Sequence, residues 1–291
     1  MARGRRKATP DAQATDAQAA EGPVVDGAAP SGEPEAGESL RGMDRTFAVL
    51  ERLADQPARA VDVTKDLNLP WATVYRTLMQ LEKAQFLRRE ASTGRYEIGP
   101  ALWFIGTSYI ANHRVLKAVL PHLHRAERLE GVAVQLSERI GRLSVNVYSA
   151  QPLAEDITKA HYGYHFPLHC GAKGKVLLAH SDPAFIESFL AGPLERLTDE
   201  TVTDPEVLRE ELAELRSAGY ALTLGDVQPF TGSVAAPVRD ETGTVVACVS
   251  FVVRRSMLRQ EKRRDELVDE LLRAAHAGSM DLGWRPGQAS A

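Results

Sequence analysis

Apolar positions between residues 60 and 81 recur with the period of an α-helix in two short stretches. The first stretch ends near Asn68, because asparagine is a common helix stop. Pro70 suits the first position of a second helix, where its missing N–H has no helical partner to lose. The second stretch has apolar residues at the spacing i, i+4, i+7, namely Val74, Leu78 and Leu81. The pattern predicts a helix-turn-helix with a buried face and an exposed face.

The exposed face of the second helix has the composition of a helix that reads the major groove of DNA. Arg76 can bind guanine or a phosphate, and Gln80 can pair with adenine through two hydrogen bonds. Thr73 can reach a phosphate or a thymine methyl group, and the small Ala72 allows a close approach. An ordinary amphipathic helix with a solvated polar face fits this helix alone equally well.

A basic hairpin follows the second helix directly. Leu87 begins one strand, residues 92–94 supply a turn, and Tyr96 and Ile98 alternate in a return strand. The hairpin carries three basic side chains, Arg88, Arg89 and Arg95. A helix-turn-helix followed by a basic hairpin predicts a winged helix, whose hairpin lies against the DNA backbone or an adjacent minor groove. The hairpin therefore favours DNA binding over the solvated-helix alternative.

The winged helix lies within a larger predicted domain that has a tail before it and a helix after it. Residues 1–39 contain almost no large apolar side chain and are predicted to be a disordered tail. Residues 40–99 form the predicted DNA-binding domain, and its first helix has apolar residues at helical spacing: Met43, Phe47, Leu50 and Leu53. Residues 100–113 predict a strongly apolar helix. This helix is either a buried helix of a second domain or a linker.

Residues 114–280 mix strands and helices and predict an α+β domain with an antiparallel sheet flanked by helices. The expected strands span residues 132–140, 143–151, 220–226, 232–240 and 244–253. The expected helices span residues 171–181, 183–190, 204–217 and 259–276, the last of which should bury Leu267, Leu271 and Leu272. Residues 281–291 are predicted to be a second disordered tail.

Composition narrows the class of protein. Of the 291 residues, 44% are hydrophobic and 25% are charged, and no apolar run approaches the length of a membrane span or a secretory signal. We therefore expect a cytoplasmic protein. The formal net charge is −4, yet residues 40–99 carry ten basic and eight acidic groups. The proposed DNA-binding domain is thus the net-positive segment of the chain.

Candidate ligand chemistry is concentrated around residues 161–176. Gly171 and Ala172 begin a predicted helix, so their free N–H groups are candidates for binding a carboxylate, although glycine here also permits tight packing alone. A phosphate loop is excluded, because Val176 stands where such loops need serine or threonine. The metal-like cluster is His161, His165, His169 and Cys170. Gly163 and Pro167 interrupt any helix that would align its members, so we favour a polar loop and expect no metal and no cofactor.

Several blocks of the chain, in one order, resemble the isocitrate lyase regulator (IclR) family of bacterial transcription factors. They are MDRTFAVLERLAD, LNLPWATVYRTLMQLEKAQFL, GRYEIGPAL, FPLHCGAKGKVLLA, LTDETVTDPEVLREELAELRSAGYAL and SVAAPVRDETGTVVACVSF. The resemblance covers roughly residues 40–277. It implies a GAF-like effector domain, a linker helix that helps to hold two protomers together, and a palindromic operator bound by a dimer or tetramer.

The resemblance also implies an effector site for a small organic acid. By motif, the effector contacts fall on Gly171, Ala172, Thr223, Ser233 and Ser250. Thr223 and Val252 are less polar than the family's usual residues for small keto and hydroxy acids, and Phe230 stands where the family usually has glycine. These departures predict a larger or more apolar effector, such as an aromatic acid.

Two other classes of protein are alternatives to a ligand-responsive regulator. An enzyme built on the C-terminal domain is disfavoured, because the chain has no G-x-S-x-G, no H-E-x-x-H and no complete phosphate loop. A sensor that has lost DNA binding and acts on a protein partner would show no steep salt-dependent affinity for duplex DNA. The sequence does not distinguish a repressor from an activator.

Overall fold

The computed structural model describes residues 42–150 and 163–287, so the predicted tail at residues 1–39 lies outside the described residues. The N-terminal domain is a helix-turn-helix with a short antiparallel hairpin. Its elements are α1 (Met43–Asp55), α2 (Ala60–Asp66), α3 (Trp71–Lys83), β1 (Leu87–Arg89) and β2 (Tyr96–Ile98). The predicted winged helix is confirmed.

Only the second half of the predicted face of α1 packs in the core beneath the helix-turn-helix. Leu53 is buried and Leu50 packs against this core as predicted, and Val49 is buried as well. Met43 and Phe47 are instead 69% and 51% exposed, because the core contacts of α1 are confined to its C-terminal half. The predicted core of α3 is confirmed, since all three of its residues are buried: Val74, Leu78 and Leu81.

The turn between α2 and α3 depends on a left-handed backbone conformation. Asn68 has a φ of 49°, which asparagine tolerates better than other residues with a side chain. Pro70 is extended and caps α3, so the helix begins one residue later than predicted, at Trp71. This turn sets the orientation of α3 and therefore the direction in which its exposed face points away from the domain.

The predicted linker is the helix α4, Pro100–Asn112. None of its residues is buried, and two large aromatic side chains are strongly exposed: Trp103 at 71% and Phe104 at 68%. This exposure excludes the alternative of a buried helix of the second domain. Across the described ranges, no helix combines the length and apolar content that crossing a membrane requires.

The second domain contains a six-stranded antiparallel sheet in the order β5-β4-β3-β8-β7-β6. Its strands are β3 (Ala133–Ile140), β4 (Leu143–Ala150), β5 (His165–Pro167), β6 (Ala221–Leu224), β7 (Thr231–Arg239) and β8 (Val245–Arg254). Its helices are α5 (Arg114–Leu123), α6 (Gly171–Ala179), α7 (Pro183–Leu190), α8 (Pro205–Ala218), α9 (Arg255–Arg259) and α10 (Glu261–Asp281). The predicted α+β architecture is confirmed, and the short β5 and α9 are additions to it.

Helices cover both faces of this sheet. On one face, α5 and α10 pack over the outward-pointing residues of the central strands, among them Val134, Val249 and Phe251. On the other face, α6, α7 and α8 pack over Ala235 and Cys248. Side chains alternate between the two faces along each strand. Every second residue of β3, β7 and β8 therefore points towards α6, which positions the ligand cavity described below.

The C-terminal helix differs from its prediction in two respects. Leu267 and Leu271 are buried as expected, but Leu272 lies on the exposed side of α10. Leu282 is buried in the core beside α5, and its carbonyl oxygen accepts a hydrogen bond from Arg114. The segment predicted to be a second disordered tail thus begins with a residue, Leu282, that is packed in the core.

Candidate functional site

The face of α3 opposite the buried core carries the residues predicted to read DNA. Ala72, Arg76 and Gln80 are exposed and Thr73 is half-buried. Within the described ranges, Arg76 takes part in no ion pair, so its guanidinium is available to a guanine or a phosphate. The helix thus presents a polar surface with a cation near its centre.

An apolar stripe that the sequence analysis missed borders this polar surface. Trp71, Tyr75 and Met79 are all exposed and follow one another at four-residue spacing along α3. The rings of Trp71 and Tyr75 stack with centroids 5.7 Å apart. Helical spacing of apolar residues normally indicates a core, but the core of α3 is complete without them. The stripe therefore adds an exposed apolar edge beside the polar surface of α3.

The three hairpin arginines do not form one patch. Arg88 pairs with Glu97 across the hairpin at 2.6 Å, whereas the guanidinium of Arg89 lies 5.7 Å from the ring centroid of Tyr96. Neighbouring residues of a strand point to opposite faces, so Arg88 and Arg89 cannot contact the same phosphate. Arg95 is exposed beside the turn.

A cavity of about 40 Å³ lies between α6 and the sheet of the second domain. Four of the five predicted effector residues line it: Gly171, Thr223, Ser233 and Ser250. Ala172 is buried but does not line the cavity. The remaining lining residues used below are Gln135, Phe166, Lys173, Asp226, Val227 and Val252.

The N–H groups at the start of α6 already have protein partners. The N–H of Gly171 donates to Oδ2 of Asp226 at 3.0 Å, and the N–H of Ala172 donates to Oγ of Ser233 at 3.2 Å. Gly171 has a φ of 69°, and an added Cβ would lie 3.0 Å from Val227, so glycine is needed at this position. Neither N–H group is therefore free as predicted, because a carboxylate of the chain caps Gly171 and a hydroxyl caps Ala172.

All nine residues of α6 are buried, including two lysines with contrasting partners. The ammonium of Lys175 lies 2.9 Å from Glu211 and 3.0 Å from Asp226. Burial alone would lower the pKa of Lys175, but these two carboxylates outweigh burial and raise it. Lys175 is a buried charge with compensating partners.

Lys173 has no such compensation. Its ammonium donates to the amide oxygens of Gln135 at 3.3 Å and Asn146 at 2.5 Å, and it lies 5.4 Å from the ring centroid of Phe166. No carboxylate in the described part of the chain lies within ion-pair distance of Lys173. Burial lowers the pKa of Lys173 to about 8, opposed only by the Cys248 thiol.

Three further polar atoms of cavity-lining residues are buried and lack a hydrogen-bond partner in the described structure. Two are donors, Nε2 of Gln135 and Oγ of Ser250, which belong to paired residues of β3 and β8, and the third is the acceptor Oδ1 of Asp226. The sequence carried a signal for Ser250, the polar residue on the inward face of an otherwise apolar strand, whereas Gln135 shares its face of β3 with the buried Ser137. The residue missed without such a signal is Lys173.

Two of the three residues behind the predicted lower polarity, Thr223 and Val252, line the cavity, whereas Phe230 is 64% exposed and lies outside the lining. Lys173 of α6 and two residues of the sheet, Gln135 and Ser250, supply polar groups to this lining, while Phe166, Val227 and Val252 supply apolar side chains. A cavity of about 40 Å³ also lies well below the roughly 300 Å³ of a typical ligand pocket, so an aromatic ligand must enlarge it.

The metal-like cluster is not assembled in the described residues. His161 lies outside them, and Nδ1 of His165 contacts the carbonyl of Gly163. Nε2 of His169 lies 2.8 Å from the carbonyl oxygen of Glu195, and burial lowers the pKa of His169. Burial also raises the pKa of Cys170. Among the described residues, no three metal-ligating side chains converge.

The end of α4 is joined to the sheet by a polar contact. Nε2 of His113 lies 3.2 Å from the carboxylate of Glu138 on β3, and 3.0 Å from the hydroxyl of Tyr109. Nδ1 of His113 accepts from the N–H of Leu116 and so caps α5. Burial raises the pKa of Glu138, and His113 opposes that shift. The linker helix is thus fastened to the same strand that carries Gln135.

Comparison with known proteins gives matches over most of the chain. Residues 42–91 match the IclR helix-turn-helix domain, and residues 107–280 match the bacterial transcriptional regulator IclR C-terminal domain. The HTH-type transcriptional repressor AllR of Klebsiella pneumoniae is 30% identical over 252 residues, which are 84% of this chain and 91% of that protein.

Solved structures share the fold. An IclR homologue from Microbacterium hydrocarbonoxydans, complexed with 4-hydroxybenzoate, superposes with a TM-score of 0.71 at 27% identity, covering 82% of this chain and 97% of that one. An IclR-type regulator from Alicyclobacillus acidocaldarius gives a TM-score of 0.73 at 24% identity, covering 82% and 98% respectively.

Proposed function

Since this chain belongs to the IclR family of bacterial transcriptional regulators, which are not enzymes, we propose that it represses genes by binding a palindromic operator. A small organic acid bound in the second domain controls this binding. The repressor assignment rests on the names of relatives such as AllR. Its place of action is with the chromosome, in the cytoplasm.

The observation that carries this proposal is the exposed face of α3. Arg76, Gln80 and Ala72 project from the side of the helix that the domain core leaves open. Arg95 and one face of the hairpin then position the domain on phosphates, while Arg88 contributes only if it exchanges Glu97 for a phosphate. Thr73 sits at the half-buried edge of the helix and suits a backbone contact.

The test is an electrophoretic mobility shift on the DNA upstream of the protein's own gene, with excess competitor DNA at several salt concentrations. We expect a retarded band that survives competitor and weakens steeply with salt. Arg76→Ala should weaken specific binding by about 1–3 kcal/mol, whereas the exposed Arg128→Ala in the second domain should have no effect. Equal operator affinity of the Arg76→Ala variant and the unaltered protein would remove Arg76 from the reading face.

The effector is proposed to be a monocarboxylic acid, with aromatic acids first in the panel. The support is the relative that binds 4-hydroxybenzoate together with the cationic Lys173 beside the cavity. Adding each acid to the mobility-shift assay measures whether operator affinity changes. An effector alters operator binding only if it binds the two arrangements of the DNA-binding domains with different affinity.

The protein is proposed to act as a dimer or a tetramer, and α4 supplies the surface. Apolar side chains surround this helix on nearly all sides, and the most exposed are Trp103, Phe104, Ile105, Tyr109 and Ile110. A helix that is hydrophobic all round is normally buried. Pairing of α4 with a second copy of the chain would bury these side chains and bring two reading helices to one operator.

The contact at the end of α4 supplies a route from the cavity to the DNA-binding domain. Gln135 and Glu138 lie on the same strand, β3, three residues apart. Gln135 contacts Lys173 at the cavity, and Glu138 contacts His113 at the linker. A ligand that shifts β3 would therefore move the base of the linker helix.

A further inference from the structure

The cavity of the second domain contains an ammonium group that no carboxylate of the described residues neutralises. Lys173 is buried, and its two hydrogen-bond acceptors, on Gln135 and Asn146, are neutral amides. A buried charge without a counter-ion costs several kcal/mol unless a partner compensates it. Lys175, two residues further along the same helix, shows how the charge of a structural buried lysine is compensated in this chain, because two carboxylates contact it.

We propose that Lys173, with Gln135 and Ser250, forms the subsite that binds the carboxylate of the effector. This inference rests on the proposed function and adds to it the position of the anion and the residue that selects it. The ammonium has three N–H groups, and two are used by Gln135 and Asn146. The third N–H, Nε2 of Gln135 and Oγ of Ser250 together offer three donors to one anion.

The start of α6 is the competing place for a carboxylate, and its hydrogen bonds argue against it. Oδ2 of Asp226 accepts from the N–H of Gly171 and is held there by Lys175. A ligand carboxylate at that position would have to displace a buried aspartate from its ion pair. Binding at Lys173 displaces no ion pair of the described residues and neutralises a charge that has only amide partners among them.

The geometry also predicts which ligands fail. A neutral amide of the same shape can hydrogen-bond to Ser250, but it cannot neutralise Lys173. The cavity walls at Phe166, Val227 and Val252 are apolar and accept the non-ionic part of the acid. Selection is therefore for a monocarboxylate over its amide, whatever the size of the remaining group.

The experiment measures binding to the full-length protein at pH 7 by calorimetry and thermal shift. The probes are acetate, lactate, benzoate and 4-hydroxybenzoate, each paired with its amide and compared at matched ionic strength with chloride. At least one acid is expected to bind saturably, with its amide about tenfold weaker or more. Lys173→Met should weaken that acid about 10- to 100-fold, while the exposed Lys262→Met should bind it as the unaltered protein does.

Circular dichroism confirms that each variant is folded, and Ser250→Ala provides a second variant should Lys173→Met fail to fold. Ser250→Ala keeps the charge and is expected to weaken the acid less than Lys173→Met does. Unchanged acid affinity in either variant would overturn the subsite. The same holds if no acid stabilises the unaltered protein, because a cavity built around an unpaired ammonium must select anions.

The mobility-shift assay on the same preparations separates this inference from the proposed function. If the protein binds its operator but binds no acid, the proposed DNA-binding function is supported and the carboxylate subsite is refuted. A protein that binds an acid through Lys173 and never binds DNA retains the subsite and loses the regulator.

Discussion

The buried ammonium of Lys173 gives the protein a stability that should depend on pH in a window set by that one residue. Burial lowers the pKa of Lys173 from 10.5 to about 8. Between these values the unfolded chain holds a proton on Lys173 that the folded chain has released. Stability therefore rises with pH through this window, because the unfolded state binds more protons.

The magnitude follows from the size of the shift. A pKa lowered from 10.5 to about 8 corresponds to about 3 kcal/mol, at roughly 1.4 kcal/mol for each pKa unit. Most of this change falls within an accessible range, and between pH 8 and pH 10 it amounts to about 2 kcal/mol. Below pH 8 the full cost of the buried charge is present.

The groups that face Lys173 do not obscure this effect. Its ammonium contacts Gln135 on β3, Asn146 on β4 and the ring of Phe166 on β5, and none of these titrates. The titratable neighbour is Cys248 on β8, whose pKa burial raises to about 12. The thiol therefore remains protonated throughout the window.

The assay is urea unfolding followed by circular dichroism at pH 7, 8, 9 and 10, for the unaltered protein and for Lys173→Met. Tyrosines and the other lysines titrate in both proteins, so the difference between the two curves isolates Lys173. Between pH 8 and pH 10, the free energy of unfolding of the unaltered protein should increase by about 2 kcal/mol relative to that of Lys173→Met. The exposed Lys262→Met serves as the control, and its curve should parallel that of the unaltered protein.

Parallel curves for Lys173→Met and the unaltered protein would refute the reasoning. Such a result would mean that the ammonium is hydrated or neutralised in the folded state. The proposed carboxylate subsite would then lose the unpaired charge on which it depends.

Three further changes test other parts of the structure. Phe104→Glu places a charge on the apolar surface of α4 and should shift the protein towards monomers in sedimentation velocity; unchanged sedimentation would place the interface elsewhere. Glu138→Gln weakens the contact with His113 and should reduce the effector-induced change in operator affinity by about 0.5–2 kcal/mol in mobility shifts, whereas the exposed Glu214→Gln should not. Leu78→Ala removes a fully buried side chain of the helix-turn-helix and should cost about 2–5 kcal/mol in urea unfolding; a cost below 1 kcal/mol would show that the site collapses around the cavity.

The helices and strands that were predictable from the sequence are those with a strong local signal. The start of α8 is fixed by Asp204, whose carboxylate accepts from the N–H groups of Glu206 and Val207, and by the proline that follows it. The apolar runs of β7 and β8, separated by the turn residues 240–243, located both strands within one or two residues. Helical spacing alone was less reliable, as α1 shows, because an exposed and a buried apolar residue look the same in a sequence.

The amino-acid sequence by itself determined the order of the longer elements, the winged helix, an antiparallel sheet flanked by helices, and the family. These depend on local propensities and on repeating patterns, which a single chain displays directly. It also placed four of the five predicted effector residues on one cavity. Those effector positions came from the family resemblance, because the spacing of residues along the chain did not indicate them.

Only the tertiary structure decided what Lys173 and Lys175 do. Two positions apart on one buried helix, both look alike in the sequence. Lys175 points to Asp226 and Glu211, whereas Lys173 points to the amides of β3 and β4. The electrostatic state of a buried lysine depends on groups that approach it from strands and loops distant in the chain. Tertiary packing therefore determines the free energy of the buried charge, which cannot be inferred from the local sequence pattern.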